Sequence, residues 1–210
     1  MVSPDFIFWE VDVQADFMLP GGKLYVPSAE KLLPNIQRLT DAARQGHVFL
    51  VSHGCFHTPD DPEFKIFPPH CVKGTQGSEL VPEALTDTIA RVPNEPGARL
   101  PHDLLTYHQV LLEKQTLNIF ESRHADELVR RLGDHPEFVV FGVVTEYCVR
   151  LAAKGLLERK RRVAVVQDAI ETLKPEGGQS AIAELRQLGA RLTTTDEALR
   201  ALSTKSPARP

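Results

Sequence analysis

The feature that most constrains the fold is a repeated alternation between short apolar runs and longer segments with helical periodicity. Five apolar runs are each short enough for a strand that is buried on both faces, and they span residues 6–13, 47–52, 109–113, 138–144 and 162–167. Helical patterns lie between most of them, over residues 28–45, 124–132, 146–158 and 178–188. This alternation predicts an α/β fold with an open, mostly parallel, doubly wound sheet, helices on both faces and a short last strand near residues 191–194.

The composition sets bounds on the domain organisation and on the partners. The 210 residues are 42% hydrophobic and 25% charged, which predicts a single domain over residues 1–202, while the polar end predicts a flexible tail over residues 203–210. The net charge of −4 shows no excess of lysine and arginine for binding nucleic acid or an anionic membrane surface. Because no apolar segment reaches the length of a membrane span, we expect a cytoplasmic protein without nucleic-acid or membrane partners.

Ionisable side chains follow three of the predicted strands, at the ends where ligands bind to open α/β sheets. Asp12 lies at the end of the first strand, Lys114 directly follows the third, and Cys148 lies at a helix start after the fourth. A helix N-terminus and an ammonium both lower a thiol pKa, and a carboxylate can accept the thiol proton. The three side chains therefore suit nucleophilic attack, with backbone N–H groups near Cys148 available to a developing oxyanion.

Each of these signals also has an ordinary structural interpretation. A cysteine near a helix start is more often packed than reactive, an aspartate that ends a strand often caps a turn, and a lysine there is usually solvated. The three cysteines, at positions 55, 71 and 148, are too few for a disulfide framework, so each is a packed thiol, a metal ligand or a nucleophile. Only the combination of the three strand-end residues favours catalysis.

Several segments resemble the cysteine hydrolases of the isochorismatase-like superfamily, and within it the nicotinamidases. They read VDVQADF from residue 11, FPPHCVKGTQGSEL from residue 67, EKQTLNIF from residue 113, GVVTEYCVRLAAKGLLE from residue 142 and QDAIE from residue 167. Their order agrees with the predicted order of strands, and together they span nearly the whole domain. The resemblance implies a Rossmann-like three-layer fold, the hydrolysis of a small carboxamide such as nicotinamide, and assembly into a homo-oligomer.

The resemblance also implies a role for each strand-end residue. Asp12 would be the general base, Cys148 the nucleophile that forms a thioester as ammonia leaves, and Lys114 the cation that orients the carboxylate and favours the thiolate. The peptide bond between Val143 and Val144 would be cis, and the N–H groups of Val144 and Cys148 would form an oxyanion hole.

Three aromatic residues are implied to bind the substrate. Phe17 and Phe67 would form the walls of a pocket for an aromatic ring, with Tyr147 nearby. The alternative is that all three are ordinary aromatic residues of the core.

A metal site beside the catalytic residues is implied as well, with one departure from the family pattern. His57, Glu63 and His70 occupy ligand positions, whereas Cys55 replaces the usual aspartate. Thiolate and imidazole ligands suit tetrahedral Zn²⁺, while a carboxylate-rich set would suit iron or manganese better. The implied cofactor is therefore a divalent metal, with zinc preferred.

Alternatives to this metal site stay open. Another nearby side chain could replace the aspartate as a ligand: His53, Asp60 or Asp61. The site could also have decayed, leaving His57 and His70 to hydrogen-bond in the loop, with Cys71 as a packed thiol. The same chemistry would then act without a metal on a ureido, carbamoyl or other small amide. A non-catalytic binding protein is the remaining alternative.

Overall fold

A seven-stranded sheet lies at the centre of the computed structural model, which describes residues 4–205. The strands are β1 (Phe6–Val11), β2 (Phe49–Cys55), β3 (Ile89–Val92), β4 (Gln109–Lys114), β5 (Glu137–Gly142), β6 (Arg162–Ile170) and β7 (Arg191–Thr193). Their spatial order is β3-β4-β2-β1-β5-β6-β7, and every neighbouring pair is parallel. The predicted open α/β sheet is confirmed, and it is entirely rather than mostly parallel.

Helices cover both faces of the sheet, as predicted. Those of the described residues are α1 (Ala15–Met18), α2 (Leu33–Arg44), α3 (Ala125–Leu132), α4 (Arg150–Glu158), α5 (Pro175–Gln187) and α6 (Thr195–Lys205). Neighbouring residues of β1 point to opposite faces, so Phe8 packs with Ile36 of α2 in one apolar layer, and Trp9 packs with Leu128 of α3 in the other. The fold therefore has three layers, with an apolar core on each side of the sheet.

Three elements were absent from the sequence prediction. α1 is a single turn, β3 is a four-residue edge strand with only partial burial, and α6 lies close to the polar end of the chain. The tail predicted from residue 203 begins inside α6, which continues to Lys205. The rest of that predicted tail, residues 206–210, lies outside the described residues.

Strand β2 is longer at its carboxyl end than predicted. The apolar pattern stops at Ser52, but pairing with β4 continues to Cys55, which lies opposite Lys114. The buried side chain of Gln14 stabilises this extension, because its amide oxygen accepts the Cys55 N–H at 2.8 Å and its amide nitrogen donates to the Cys55 carbonyl at 2.7 Å. Cys55 is thus placed at the end of a strand rather than in a loop.

The order of the strands places a crevice beside β1. The chain passes from β1 to β2 on one side, whereas β5 pairs with β1 on the other side. Ligands of open α/β sheets bind beyond the carboxyl ends of the strands at such a reversal.

None of the helices in residues 4–205 combines the length and apolar character that a bilayer crossing requires. The cytoplasmic location and the homo-oligomer stay predictions.

Candidate active site

The three predicted catalytic side chains meet at the carboxyl ends of β1, β4 and β5. The Lys114 ammonium donates to Asp12 Oδ2 at 3.0 Å and lies 3.7 Å from Cys148 Sγ. All three residues are buried, and even Cys148 is only 5% exposed. The structure therefore brings together residues that are as much as 136 positions apart in the sequence, from 12 to 148.

Two backbone features bring Asp12 close to β5. Asp12 has a φ of 51°, in the left-handed region that aspartate tolerates better than most residues. This conformation ends β1 at Val11, two residues before the predicted end. Gly142 ends β5 with a φ of 115°, and a Cβ atom there would lie 2.1 Å from the Val11 carbonyl oxygen. Only glycine allows this close approach of the two strand ends.

The buried charges determine the protonation states of the resting site. Burial would raise the pKa of Asp12, but the Lys114 ammonium and the neighbouring His53 ring outweigh it and lower this pKa to about 2. Burial would lower the pKa of Lys114, but the charge of Asp12 raises it well above its usual value. Burial and the Asp12 charge together raise the pKa of the Cys148 thiol. The resting site therefore contains a carboxylate, an ammonium and a protonated thiol.

Cys148 lies in a π-helical turn, Thr145–Val149, that leads directly into α4. The peptide bond between Val143 and Val144 is cis, as the resemblance implied. Val144 and Cys148 both line a cavity at this point, with Val143 beside them. This arrangement places the two predicted oxyanion residues at the thiol, and their role stays a prediction.

The cavity above Cys148 is small, with a volume of about 60 Å³, and most of its lining side chains are apolar, with Asp12, Glu63 and His70 as the polar ones. The three predicted ring-binding residues, Phe17, Phe67 and Tyr147, all line it, and the rings of Phe67 and Tyr147 meet edge to face at 6.4 Å. Its described lining residues include no lysine or arginine. Two larger surface hollows, of about 420 and 490 Å³, contain none of the catalytic trio, so the chemistry favours the smaller cavity.

Sequence reasoning missed four aliphatic residues of the cavity wall: Leu24, Val26, Leu117 and Leu173. They lie in segments between regular elements, where an isolated aliphatic residue has no periodicity to mark it. They complete an apolar enclosure that suits a neutral molecule with a flat, weakly polar body.

Three of the four predicted metal ligands form a second cluster beside the first. Candidate ligand atoms of Cys55, His57 and His70 all lie within 4.8 Å of one another, and all three residues are buried. His57 Nδ1 lies 3.0 Å from Asp61 Oδ2 and His70 Nδ1 lies 2.8 Å from the Pro68 carbonyl oxygen. These contacts orient the rings so that each Nε2 atom can serve as a ligand.

The donor set fits a metal ion. His57 Nε2 is buried and has no hydrogen-bond partner among the described residues. A coordinated cation would give this nitrogen a partner. One thiolate and two imidazoles are ligands that zinc prefers. Glu63 lies at the edge of this trio, with Oε1 at 3.9 Å from His70 Nε2, and its role as a ligand stays a prediction.

The structure also places the three alternative ligands. Asp61 contacts the far nitrogen of His57, which is an orienting position, and Asp60 is exposed. His53 lies beside the Asp12 carboxylate instead, with Nδ1 at 3.5 Å from Asp12 Oδ1. Cys71 is buried away from solvent, its N–H donates to Asp16 Oδ2 at 2.7 Å, and its thiol faces the Gly77 carbonyl, in agreement with a packed thiol.

One ammonium joins the two clusters, a link that the sequence did not indicate. Lys114 Nζ lies 2.9 Å from Cys55 Sγ as well as beside Asp12. Burial and the charge of Asp12 raise the pKa of the Cys55 thiol to about 12, although Lys114 opposes this shift. The thiol at position 55 is therefore protonated unless a cation in addition to Lys114 stabilises the thiolate.

The parallel sheet and the buried Asp12, Lys114 and Cys148 at its carboxyl edge define an α/β protein with a cysteine-centred site. The sequence matches the isochorismatase domain family over residues 8–91 and 87–197. The chain belongs to this family.

Two curated relatives are similar over most of the chain. The nicotinamidase of Saccharomyces cerevisiae is 27% identical over 195 residues, which cover 75% of this chain and 84% of the relative. A probable inactive nicotinamidase of Arabidopsis thaliana is 23% identical over 190 residues, which cover 89% of this chain and 91% of the relative. Similarity of this kind is thus shared with one protein named a nicotinamidase and with another named a probable inactive nicotinamidase.

Two solved structures are similar to the fold. The pyrazinamidase of Pyrococcus horikoshii in complex with zinc has a TM-score of 0.73 at 27% identity, over 91% of this chain and 99% of that one. The N-carbamoylsarcosine amidase of Thermoplasma acidophilum has a TM-score of 0.70 at 27% identity, over 91% of this chain and 96% of that one. Both neighbours are named as amidases, and they differ in the amide that their names specify.

Proposed function

We propose that the protein is a cysteine amidohydrolase that converts nicotinamide to nicotinate and ammonia. The observation that carries this proposal is the convergence of Asp12, Lys114 and Cys148 at a buried, mostly apolar cavity, which Asp12 and Cys148 line and behind which Lys114 contacts both. The similarity to a nicotinamidase and to a pyrazinamidase supports the class of substrate.

Acylation begins when Cys148 Sγ attacks the carboxamide carbon while its proton passes to the Asp12 carboxylate. The carbonyl oxygen becomes an oxyanion, which the N–H groups of Val144 and Cys148 stabilise. The C–N bond then breaks, Asp12 returns the proton to the nitrogen, and ammonia leaves a thioester on Cys148. Because the resting thiol is protonated, the base must act during the attack rather than before it.

Deacylation uses the same groups in reverse. A water molecule gives a proton to Asp12 and attacks the thioester carbon, and the C–S bond breaks as the proton returns to Cys148. The product leaves the thiol as a carboxylic acid and loses its remaining proton to solvent. The described lining residues include no lysine or arginine that would retain the resulting carboxylate. Lys114 keeps Asp12 ionised between these proton transfers, because the ammonium offsets the effect of burial on the carboxyl pKa.

A divalent metal, zinc in preference to iron or manganese, would be held by Cys55, His57 and His70, with Glu63 at the edge of the set. When bound, the metal supplies a Lewis acid for the ring nitrogen of the substrate and thereby helps to place the ring. Phe17, the apolar wall nearest to His70, lies with its ring centroid 5.3 Å from the imidazole and would pack against the same ring.

The direct test is ammonia release from nicotinamide by the purified protein, before and after chelation and after the return of zinc. We expect turnover that requires the metal and is abolished in Cys148→Ala, whereas Cys71→Ala, which also removes a buried thiol, remains active. Unfolding curves of both variants establish that they are folded. No release by zinc-loaded native protein would contradict the proposal.

A metal-independent amidase for a ureido or carbamoyl compound is the second candidate. The observation that favours it is Cys55 in the position of an aspartate ligand, where it contacts the Lys114 ammonium at 2.9 Å. Against it, the described lining residues offer no lysine or arginine to a substrate with a carboxylate. Turnover of N-carbamoylsarcosine after chelation, without turnover of nicotinamide, would establish this candidate; turnover of neither amide would leave the non-catalytic interpretation.

A further inference from the structure

One lining residue of the cavity differs from all the others in its exposure. Leu173 is 37% exposed, whereas the other described lining residues are buried or intermediate. An exposed aliphatic side chain that still lines a buried cavity lies at its mouth. Leu173 belongs to the segment 171–174 between β6 and α5, which contains no helix or strand.

A single carboxylate holds this segment in place. Glu146 Oε1 accepts the N–H groups of Leu173 at 3.0 Å and of Lys174 at 2.9 Å, and Glu146 Oε2 accepts the Thr172 hydroxyl at 2.6 Å. Hydrogen bonds to a carboxylate are stronger than those between neutral groups, so three on one side chain fix the segment firmly.

The glutamate is part of the turn that carries Cys148. The two residues belong to the same π-helical turn, two positions apart, and Thr145 of that turn also donates to the Glu171 carbonyl from its N–H at 2.8 Å. The turn and the segment 171–174 are therefore joined at several points. The turn that carries Cys148 therefore also holds the segment that carries Leu173.

Two glycines leave room for this arrangement at the start of α5. A Cβ atom at position 177 would lie 3.3 Å from Glu146 Cγ, and one at position 178 would lie 2.8 Å from Thr172 Oγ1. The carboxylate also lies near the N-terminal end of α5, where a negative charge is favourable. The sequence around Glu146 is thus consistent with a built contact rather than a chance one.

We propose that Leu173 determines the size of the amide that reaches Cys148, and that Glu146 is a positioning residue that acts through Leu173. This inference rests on the proposed amidohydrolase function and extends it to the choice of substrate. The expected substrates are neutral carboxamides with a single small ring, because a second fused ring would contact the Leu173 side chain at the mouth.

The test compares nicotinamide with quinoline-3-carboxamide, which carries a fused second ring. In Leu173→Ala we expect the ratio of kcat/KM for the larger amide to that for nicotinamide to rise by roughly tenfold, the range for a few methyl groups in a pocket. Leu188→Ala removes another exposed leucine, 47% exposed and outside the cavity, and is expected to leave the ratio unchanged.

Glu146 is tested through the same ratio. Glu146→Ala should raise it as Leu173→Ala does, with a higher KM for nicotinamide and a smaller change in kcat. Glu146→Gln should keep the native ratio, because the amide oxygen can accept both N–H groups and the amide nitrogen can donate to the Thr172 hydroxyl. The double alanine variant should match Leu173→Ala alone. Additive changes, or an unchanged ratio in Leu173→Ala, would overturn the proposal.

Alkylation of Cys148 gives a readout that does not depend on turnover. The relative rates with chloroacetamide and N-phenylchloroacetamide, followed by mass spectrometry, should shift toward the larger reagent in Leu173→Ala and Glu146→Ala but not in Glu176→Gln, an exposed residue of α5. If the native protein released no ammonia from either amide, the proposed function would fail, while the alkylation ratio would still decide the roles of Leu173 and Glu146.

Discussion

Lys114 Nζ lies 2.9 Å from Cys55 Sγ, so the ammonium that pairs with the buried Asp12 carboxylate also contacts a candidate metal ligand. An ammonium beside a metal site opposes the binding of a second cation, and a thiolate between the two positive charges offsets that repulsion. The residue at position 55 therefore links the choice of metal to the charge balance of the catalytic residues.

The first prediction concerns Cys55→Asp, which restores the aspartate usual in the family. Because carboxylates suit harder ions than thiolates do, we expect the variant to exchange its preference for zinc for iron or manganese. The measurement is the metal content after loading from an equimolar mixture of the three ions. Cys71→Ser serves as the control, and an unchanged preference for zinc in Cys55→Asp would contradict the prediction.

The second prediction concerns the buried ion pair of Lys114 and Asp12. Removing one partner leaves the other charge buried without compensation, so Lys114→Met should lower the free energy of unfolding by about 3–5 kcal/mol. Lys154→Met removes a lysine that is 35% exposed and paired with the equally exposed Glu184, and it should change stability by less than about 1 kcal/mol. Urea unfolding of both variants provides the comparison, and similar small changes would argue against the pair.

The third prediction concerns the pH dependence of activity. In the folded protein the pKa of Asp12 is lowered from 3.8 to about 2, so the carboxylate remains the base far into the acid range. The stability that this group contributes is present above pH 3.8 and is lost as the pH falls through 2. We therefore expect that protonation of Asp12 does not lower kcat/KM at any pH at which the protein is still folded. Asp12→Asn should lower kcat by about 10²–10⁴-fold at every pH. An acid limb with a pKa near 4 in the native protein, absent from its unfolding curve, would contradict this.

The fourth prediction concerns a polar network inside the sheet. Ser52 Oγ donates to Glu10 Oε2 at 2.6 Å and accepts from Gln109 Nε2 at 2.7 Å, so three neighbouring strands are joined by side chains. Burial raises the pKa of Glu10 from 4.5 to about 8, although the hydrogen bond from Ser52 opposes this shift. Glu10 is therefore protonated in the folded protein at neutral pH.

A raised carboxyl pKa has a defined effect on stability. Below pH 4.5 Glu10 is protonated in both states, and between pH 4.5 and 8 it ionises only in the unfolded chain, so stability falls as the pH rises through this window. Glu10→Gln removes this pH dependence. Relative to the native protein, its free energy of unfolding should rise by on the order of a few kcal/mol between pH 5 and pH 9. Glu176→Gln is the control, and a constant difference between native protein and Glu10→Gln would contradict the prediction.

The sequence predicted the parts of the fold that carry a strong local pattern. β1 and β5 are predominantly apolar segments, FIFWEV and EFVVFG, and their positions were predicted to within a few residues. β3 has only four residues at the sheet edge, and α6 buries only a few positions, such as Ala198 and Leu202, so neither has enough periodicity to be recognised. Burial by distant segments, rather than local pattern, stabilises both.

The candidate site divides in the same way. The sequence could indicate Asp12, Lys114 and Cys148 because the carboxyl ends of the strands are where ligands bind to a parallel sheet. Lys114 and Cys55, which are in contact, are 59 positions apart in the sequence. Glu146 accepts hydrogen bonds from the segment 171–174, which lies up to 28 positions away. No short motif contains such contacts, because they depend on how the loops fold over the sheet.

The position of β1 also has a consequence for synthesis on the ribosome. β1 is the first strand to be made and the middle strand of the finished sheet, with β2 on one side and β5 on the other. The chain must be extended from Phe6 to Glu137 before the second side of β1 finds its partner. Until then β1, whose six residues are all buried in the finished sheet, presents an open edge, and the nascent chain depends on rapid completion or on chaperones to avoid association with other chains.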